Sequence, residues 1–471
     1  MRPFKILPLL FTLWFTRGNA QQNFTLYNMG SVPQRSWMNP ALLPECKWHL
    51  GIPALNSLYV HASTSGFNFS NIWKATEIGI GDTSVLNFNK LLNVLDKKNY
   101  ISVKVEQTWL HGGLRWKNHY FNANITEKGA VKISLPKDLF RFVIDGNGGQ
   151  NLGSTFHFDL GAQAIHYREF GFGYAYTYRD QITVGARLKY LRGLNVVDLN
   201  KANLSVQTRS GDYAWLLSSD VELNTASSAF RILNTDTTRP NDFNGRRLYS
   251  GVRNGGLGLD LGATYKVTDK LSVNASILDI GFIRWTQNTG SWVSHDPRAT
   301  FVFDGIHISS KDTNSDFGQY IENLADSMIH TFRLDTLHRK FSTGLSTEFF
   351  IGANYKLMKK LELSALLYGD FFNKRFYPGL TLGMRYTPWR ALSVNVTNTM
   401  YSNGWFNPGL GIAVKGGPVQ FYTVADNFLA PVMLSRLRSM NVRFGINLVF
   451  GHPSGTAPAK TEPAETDPVT F

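Results

Sequence analysis

The stretch STFHFDLGAQA places His157 and Asp159 two residues apart, so on a β-strand their side chains share one face. A histidine close to a carboxylate can transfer protons in catalysis. A catalytic site would also need a nucleophile or a second acid, with a third group to orient it, and the sequence offers no such constellation. We therefore expect no enzyme, no catalytic residue and no cofactor, and we interpret the pair as polar side chains of an interior.

The stretch DTNSDFG resembles the start of a calcium-binding loop, because Asp312, Asn314 and Asp316 have the spacing of its first ligands. Gly318 comes one residue late for that loop, and Glu322 comes one residue early for its bidentate ligand. A turn that caps a following helix explains the same residues. We expect no metal site here.

Clustered glycines and a single cysteine are the other features that could carry chemistry. The glycines of GVRNGGLGLDLG (251–262) are followed by no helix, so we interpret them as lumen-facing strand positions rather than a phosphate-binding loop. Cys46, the one cysteine, allows neither an internal disulfide nor a Cys/His metal cluster.

Strands with one apolar and one polar face dominate the chain. In PGLTLGMRYTPWRALSVNVTN (378–398) the alternation stops at TPWR and then resumes, which predicts a hairpin. Similar units recur near 174–190, 257–276, 351–365 and 440–450. The runs last about 9–11 residues, the length that a tilted strand needs to cross a bilayer, whereas strands of soluble sandwiches usually have about 5–6.

Turn lengths and aromatic residues support a membrane barrel over a soluble sandwich. The turns RD, TDK, MKK, TPWR and GGP are tight and fall on the side where the chain ends, while the connections near 192–256, 285–340, 401–408 and 426–439 are longer. Aromatic residues near strand ends fit interfacial girdles: Tyr190, Tyr265, Trp285, Trp389 and Trp405. We predict an all-β fold, a transmembrane antiparallel β-barrel of about 14 strands (14–16), with the stretches 126–153 and 198–222 leaving the count open.

Composition and chain ends set the location. The start MRPFKILPLLFTLWFTRGNAQQ has a basic beginning, a short apolar core and small residues before Gln21, which predicts a signal peptide over 1–20. A mean hydropathy of −0.18 excludes a helical membrane protein, and a net charge of +14 suits a lipopolysaccharide surface. Lysine and arginine are spread along the chain, so we expect no nucleic-acid partner. We divide the rest into an N-terminal plug-like segment (21–50), the barrel (51–450) and a disordered periplasmic tail (451–471).

Two segments have helical rather than alternating periodicity. They are 85–98, with Asp82, Thr83 and Ser84 as cap candidates, and 316–332. Both lie in longer connections, so we expect short loop helices over a barrel mouth, which either pack for stability or act as a gate.

Charged residues on the polar faces should project into the lumen. Two interpretations stay open, a closed interior held by salt bridges and a path for solutes. The residues are Asp159, Arg187, Lys189, Asp260, Lys266, Glu362, Arg385, Lys415 and Arg443.

The segment SVPQRSWMNPALLPE (31–45) resembles the N-terminal segment of the fatty-acid-transporter (FadL-like) barrels, in which Asn-Pro-Ala precedes the first strand. With KFSTGLSTEFFIGANYKL (340–357), the chain looks like an uncharacterised family of Bacteroidota outer-membrane proteins assigned to that superfamily. The resemblance implies a 14-stranded monomeric barrel whose N-terminal segment enters or plugs the lumen. The plug or ligand residues would be Trp37, Met38, Asn39, Pro40 and Ala41.

Two functions follow from this resemblance. The first is an outer-membrane barrel of a Gram-negative bacterium that binds or passes hydrophobic small molecules. The alternative is a non-conducting barrel that acts as a docking partner for a secretion or surface complex, as the type IX secretion shuttle barrel does. The expected partners are the lipid bilayer, lipopolysaccharide, and either a hydrophobic small molecule or a secretion-system or surface protein.

Overall fold

A computed structural model describes residues 23–65, 76–78, 84–86, 88–229, 245–250, 254–305, 314–372, 375–400, 405–429 and 439–451. The signal peptide, most of the C-terminal tail and the calcium-like Asp312 lie outside these residues. Twenty-three strands occur within them: β1 Trp48–Gly51, β2 Ser57–Thr64, β3 Thr76–Ile78, β4 Ser84–Leu86, β5 Lys98–Trp116, β6 His119–Pro136, β7 Thr155–Asp159, β8 Gly161–Tyr178, β9 Ile182–Thr208, β10 Trp215–Ala226, β11 Asn254–Lys266, β12 Leu271–Trp285, β13 Thr289–Ser294, β14 Thr300–Phe303, β15 Leu334–Leu337, β16 Phe341–Gly344, β17 Thr347–Met358, β18 Leu361–Phe372, β19 Arg375–Trp389, β20 Leu392–Met400, β21 Pro408–Gly416, β22 Val419–Ala425 and β23 Ser439–Phe450.

Helices make up a small part of the described residues. The described residues form α1 Phe24–Tyr27, α2 Phe88–Val94, α3 Lys137–Asp145, α4 Gly245–Ser250 and α5 Asn314–Thr331, with 3-10 turns at Pro33–Trp37 and Gly149–Asn151. In this part of the chain no helix has both the length and the apolar character needed to cross a bilayer.

The strands close into one antiparallel barrel of fourteen strands. β1 and β2 are two halves of the first strand, since both pair with β5 on one side and β23 on the other. β16 and β17 likewise both pair with β12 and form the eighth. The remaining members are β5, β6, β8, β9, β11, β12 and β18 to β23, each paired to the next. The predicted all-β barrel is confirmed, at the lower end of the expected count.

Alternation sorts the side chains between the outer surface and the lumen. On β18, Leu367 is 51% exposed on the outside, whereas its neighbour Leu366 is 1% exposed on the inside. An apolar outer surface is stable against lipid, and a closed ring leaves no strand edge unpaired in it.

The aromatic girdle expectation fails at one residue. Tyr190, Tyr265, Trp389 and Trp405 are exposed, but Trp285 is fully buried. Its indole N–H donates to the hydroxyl of Thr343, 2.9 Å away, and its ring packs in an apolar cluster. A buried tryptophan satisfies its N–H internally, so Trp285 stabilises the interior rather than the interface.

The long connections at one end extend the sheet beyond the ring along the far part of β9, and we name this extension the outer sheet. β9 runs for 27 residues, and its far half pairs with β7 and β10. β10 pairs with β13 and β14, and β13 pairs with β15. The two stretches that left the strand count open, 126–153 and 198–222, are therefore β6 with α3, and the β9–β10 hairpin.

Both predicted loop helices are present but shorter or shifted. The first is α2, and Ser84, proposed as its cap, instead begins β4. The second is α5, which begins at Asn314 and therefore starts earlier than the predicted residue 316. The other cap candidates, residues 82–83, lie outside the described residues.

Candidate functional site

Residues 23–47, which we name the inner segment, lie inside the ring. Asn39 donates its side-chain N–H to the carbonyl of Ala275 on β12 at 3.1 Å. The side-chain N–H of Asn395 on β20 donates to the carbonyl of Thr25 at 2.8 Å. Gln34 donates to the side chain of Asn447 on β23 at 2.7 Å. One segment can contact three such separated wall strands only from within the lumen.

Glycines on the inner wall leave the space in which the inner segment lies, and we name this space the seat of the segment. A Cβ atom at Gly185 would lie 2.6 Å from the carbonyl carbon of Pro40, and one at Gly262 would overlap the side chain of Asn39. A methyl group therefore cannot fit at either place unless the inner segment moves. Gly262 belongs to the glycine cluster that the sequence placed on the lumen face.

The Asn-Pro-Ala tripeptide is a local turn that fits this seat. The side-chain oxygen of Asn39 accepts the backbone N–H of Ala41 at 2.9 Å, an Asx-turn around Pro40. The carbonyl of Met38 accepts the hydroxyl of Ser276 at 2.7 Å. Trp37 stacks near His111, with ring centroids 4.8 Å apart. All five proposed plug residues thus lie in the lumen against the wall.

Part of the inner wall is apolar, in contrast to the polar interior that is usual in outer-membrane barrels. Four inward side chains on β12, β17 and β18 form this surface, which we name the apolar strip: Leu278, Phe350, Leu366 and Tyr368. The inner segment covers it with Phe24, Tyr27, Met38 and Leu42. Tyr27 stacks on Phe350 with ring centroids 5.4 Å apart. The inner segment therefore covers an apolar surface that faces the lumen.

A buried charge network crosses the lumen beside the apolar strip. The ammonium of Lys189 lies 2.7 Å from Asp260 and 2.7 Å from Asp279, and 3.9 Å from Glu169. Lys128 also pairs with Glu169 at 2.7 Å. These three carboxylates and two ammonium groups are largely buried, so each holds the others in place by charge attraction.

Two arginines tie the inner segment to this wall. Arg187 donates to the carbonyl of Ser36 at 3.1 Å and lies 3.8 Å from Asp260. Arg443 donates to the side-chain oxygen of Asn23 at 3.0 Å and pairs with Glu106 at 2.6 Å.

The other predicted lumen charges lie nearer the ends or elsewhere. Arg385 bridges Glu362 at 2.8 Å and Glu45 of the inner segment at 2.6 Å. Lys266 and Lys415 lie toward the end with the short turns. The structure places Asp159 away from the lumen, on β7 of the outer sheet, where it pairs with Lys98 at 3.4 Å. β7 is not a member of the ring, so its alternation does not report an inside and an outside of the barrel.

The charged residues of the lumen that were missed include Glu106, Lys128, Glu169 and Asp279. The first three sit at inward positions of β5, β6 and β8, so the phase of these strands was the signal that could have found them. Asp279 lies on β12, opposite a register shift between Leu259 and Leu261 of β11. This shift breaks the alternation of inward and outward side chains on β12.

The inner segment lies between two cavities. Toward the long loops, Trp37 and Met38 line a cavity of about 120 Å³. Toward the short turns, Arg35 and Ala41 line a cavity of about 640 Å³. The inner segment therefore contributes residues to both cavities.

An ion pair between Glu45 and Arg385 holds the inner segment in place at neutral pH. Burial alone would raise the pKa of Glu45, but the adjacent guanidinium of Arg385 outweighs it and lowers the pKa below the ordinary value. The bridge is therefore charged at neutral pH and is lost only as the pH falls through this lowered pKa.

Cys46 is a natural probe of the seated segment. It is 6% exposed, and burial raises the pKa of its thiol to about 12. At pH 8 we expect a maleimide to label it at least about a hundredfold more slowly than the unfolded chain, since the thiolate is the reactive form. Intact-mass measurement over time checks this, and equal rates in folded and unfolded protein would show that the segment leaves its seat freely.

The sequence matches known proteins at family level. A family model described as "Family of unknown function (DUF5723)" matches residues 40–426. A comparison with curated proteins finds no match.

Solved barrels of similar shape are distant. The toluene transporter TbuX of Ralstonia pickettii is 12% identical, with a TM-score of 0.41 over 89% of this chain and 94% of that one. The CymD monoaromatic hydrocarbon channel is 11% identical, with a TM-score of 0.40 over 90% and 94%. A FadL homologue of Pseudomonas aeruginosa is 10% identical, with a TM-score of 0.39 over 89% and 95%. At such identities, function has to be inferred from the side chains of this lumen.

Proposed function

We propose that this chain, which belongs to the family of unknown function DUF5723, is a FadL-like outer-membrane barrel that binds or passes hydrophobic small molecules. The family description names no function, so the activity has to be inferred from the geometry of the lumen. The bilayer and a lipopolysaccharide leaflet would surround its apolar belt. Trp37, Met38, Asn39, Pro40 and Ala41 would form the movable part of the path.

The apolar strip is the observation that carries this proposal. A barrel that carried only ions or sugars would have no use for Leu278, Phe350, Leu366 and Tyr368 on its inner wall. The strip is dry while Phe24 and Tyr27 cover it, and a displaced segment would expose it to whatever enters the lumen. An apolar solute would then replace the contacts that these two rings make, at about 25 cal/mol for each Å² removed from water.

The test is native mass spectrometry of the protein in mild detergent with extraction of bound lipid, followed by titration with a fluorescent long-chain fatty acid. We expect a bound apolar molecule, and F350A should weaken probe binding at least about tenfold because a buried phenylalanine contributes about 1.5–3 kcal/mol. F349A is the matched control, since Phe349 lies one residue away on the outer face. An empty barrel that does not bind the probe would contradict the proposal.

One observation favours the docking platform as a second candidate. Within the described residues, the last strand of the outer sheet, β15, pairs with β13 alone, and its four residues are all exposed. Leu334 and Leu337 are among them, and an exposed strand edge can receive a strand from another protein. A stoichiometric protein partner that is lost on L334K, with no lipid in the lumen, would favour this candidate.

A further inference from the structure

The mouth at the short-turn end is strongly basic. Eight cationic side chains line its 640 Å³ cavity, against four carboxylates, those of Glu45, Asp180, Asp269 and Glu362. Among the described residues, Arg385 is the only one of the eight cations that makes an ion pair. We name this surface, which includes Lys47, Lys117, Lys270 and Lys356, the basic mouth.

The C-terminal tail leaves the barrel at the basic mouth. The backbone N–H of Lys47 donates to the carbonyl of Gly451 at 3.3 Å, so residue 452 starts beside one of the lining cations. The tail, residues 452–471, carries Glu462, Glu465 and Asp467 against one cation, Lys460. Its charge is thus opposite to that of the surface from which it departs.

The reach of the tail matches the size of the mouth. Fourteen strands about 4.8 Å apart and tilted about 40° enclose a ring roughly 30 Å across. Prolines at 453, 458, 463 and 468 favour an extended chain. At about 3.1 Å per residue, the stretch from Gly451 to Asp467 spans roughly 50 Å, enough to cross the ring and turn inward.

We propose that the acidic tail folds back and binds in the basic mouth through Glu462, Glu465 and Asp467. The tether raises the effective concentration of the tail to about the millimolar range, so a few solvated ion pairs suffice for binding. This inference does not depend on what the lumen carries.

The experiment measures the distance between spin labels on T466C and N118C, in a C46S background in nanodiscs. Asn118 lies in a turn that lines the basic mouth. At 50 mM salt we expect a short mean distance with a narrow distribution. At 1 M salt we expect a broad distribution, because the Debye length falls to about 3 Å and the ion pairs of the tail are screened. E462Q/E465Q/D467N should broaden the distance at both salt concentrations, whereas the control K460Q should keep it narrow.

Trypsin cleavage after Lys460 gives a second reading on unlabelled protein. Cleavage should be several-fold slower at 50 mM than at 1 M salt, relative to a peptide of the same sequence. The proposal would be overturned by a broad distribution of label distances that does not change with salt. It would also be overturned if the distribution stays narrow in E462Q/E465Q/D467N. Tail ordering that appears only when another protein copurifies would overturn it as well, because the mouth would then belong to that partner.

Discussion

The double variant G185A/G262A is expected to open the lumen and to raise the permeability of reconstituted barrels at least about tenfold. Liposome swelling or conductance measures the permeability. A tenfold change is expected because a shift of about 1.4 kcal/mol in a two-state equilibrium already changes the populations tenfold. At Gly185 the added methyl meets the backbone of Pro40 at 2.6 Å, and at Gly262 it meets Asn39. A backbone cannot rotate away as a flexible side chain can, so the inner segment must leave its seat.

The matched control is G258A, on the same strand and the same face as Gly262. A Cβ there would lie 3.4 Å from Lys189 atoms, an ordinary contact, and the nearest atoms include none from the inner segment. Permeability should stay at the wild-type level. Deleting residues 23–45 gives the upper limit for an empty lumen.

Labelling of Cys46 separates displacement from misfolding. A folded barrel whose segment has moved should label Cys46 faster while keeping its heat-dependent mobility on gels. If G185A/G262A leaves both permeability and labelling unchanged, then the inner segment accommodates the methyl groups and does not control the lumen.

The substitution K189M is expected to cost the largest amount of stability, about 3–5 kcal/mol, because it leaves buried carboxylates without their cation. Lys189 is 4% exposed and lies 2.7 Å from both Asp260 and Asp279. The urea midpoint of unfolding in detergent, or the temperature at which the folded band disappears on gels, measures the loss.

K201M is the control for this prediction. Lys201 pairs with Asp220 on the outer sheet, where its side chain is half-exposed, so its removal should cost less than about 1 kcal/mol. Adding D260N to K189M should restore part of the stability, since one buried charge disappears with its partner. Equal losses for K189M and K201M would mean that the lumen network is hydrated rather than dry.

Much of the barrel was predictable because alternation is a local property. The hairpin of 378–398 forms as expected, with Met384 opposite Val396 across the turn at TPWR. The outer sheet was not predictable, because β9 continues past the barrel as one unbroken strand of 27 residues. α3 was missed although Leu139, Phe142 and Val143 have helical spacing, because its nine residues follow directly on the end of β6.

The site was predicted in part. Arg187, Lys189, Asp260 and Arg443 were identified as lumen-facing because their strands alternate cleanly. The apolar strip was invisible, since Leu366 lies in a run of consecutive apolar residues that suits either face. Only the register of β18 against its neighbours tells which leucine faces inward.

The first strand of the barrel is also the partner of the last, and this sets the order of assembly. β2 pairs with β23, and Asn23, the first residue of the inner segment, is held by Arg443, 420 residues away in sequence. Neither contact can exist until the final strand has been delivered, and pairings of such long sequence separation form slowly. The pairing that closes the barrel and the binding site of the inner segment therefore form in one late step of biogenesis. A chain truncated before β23 would lack both.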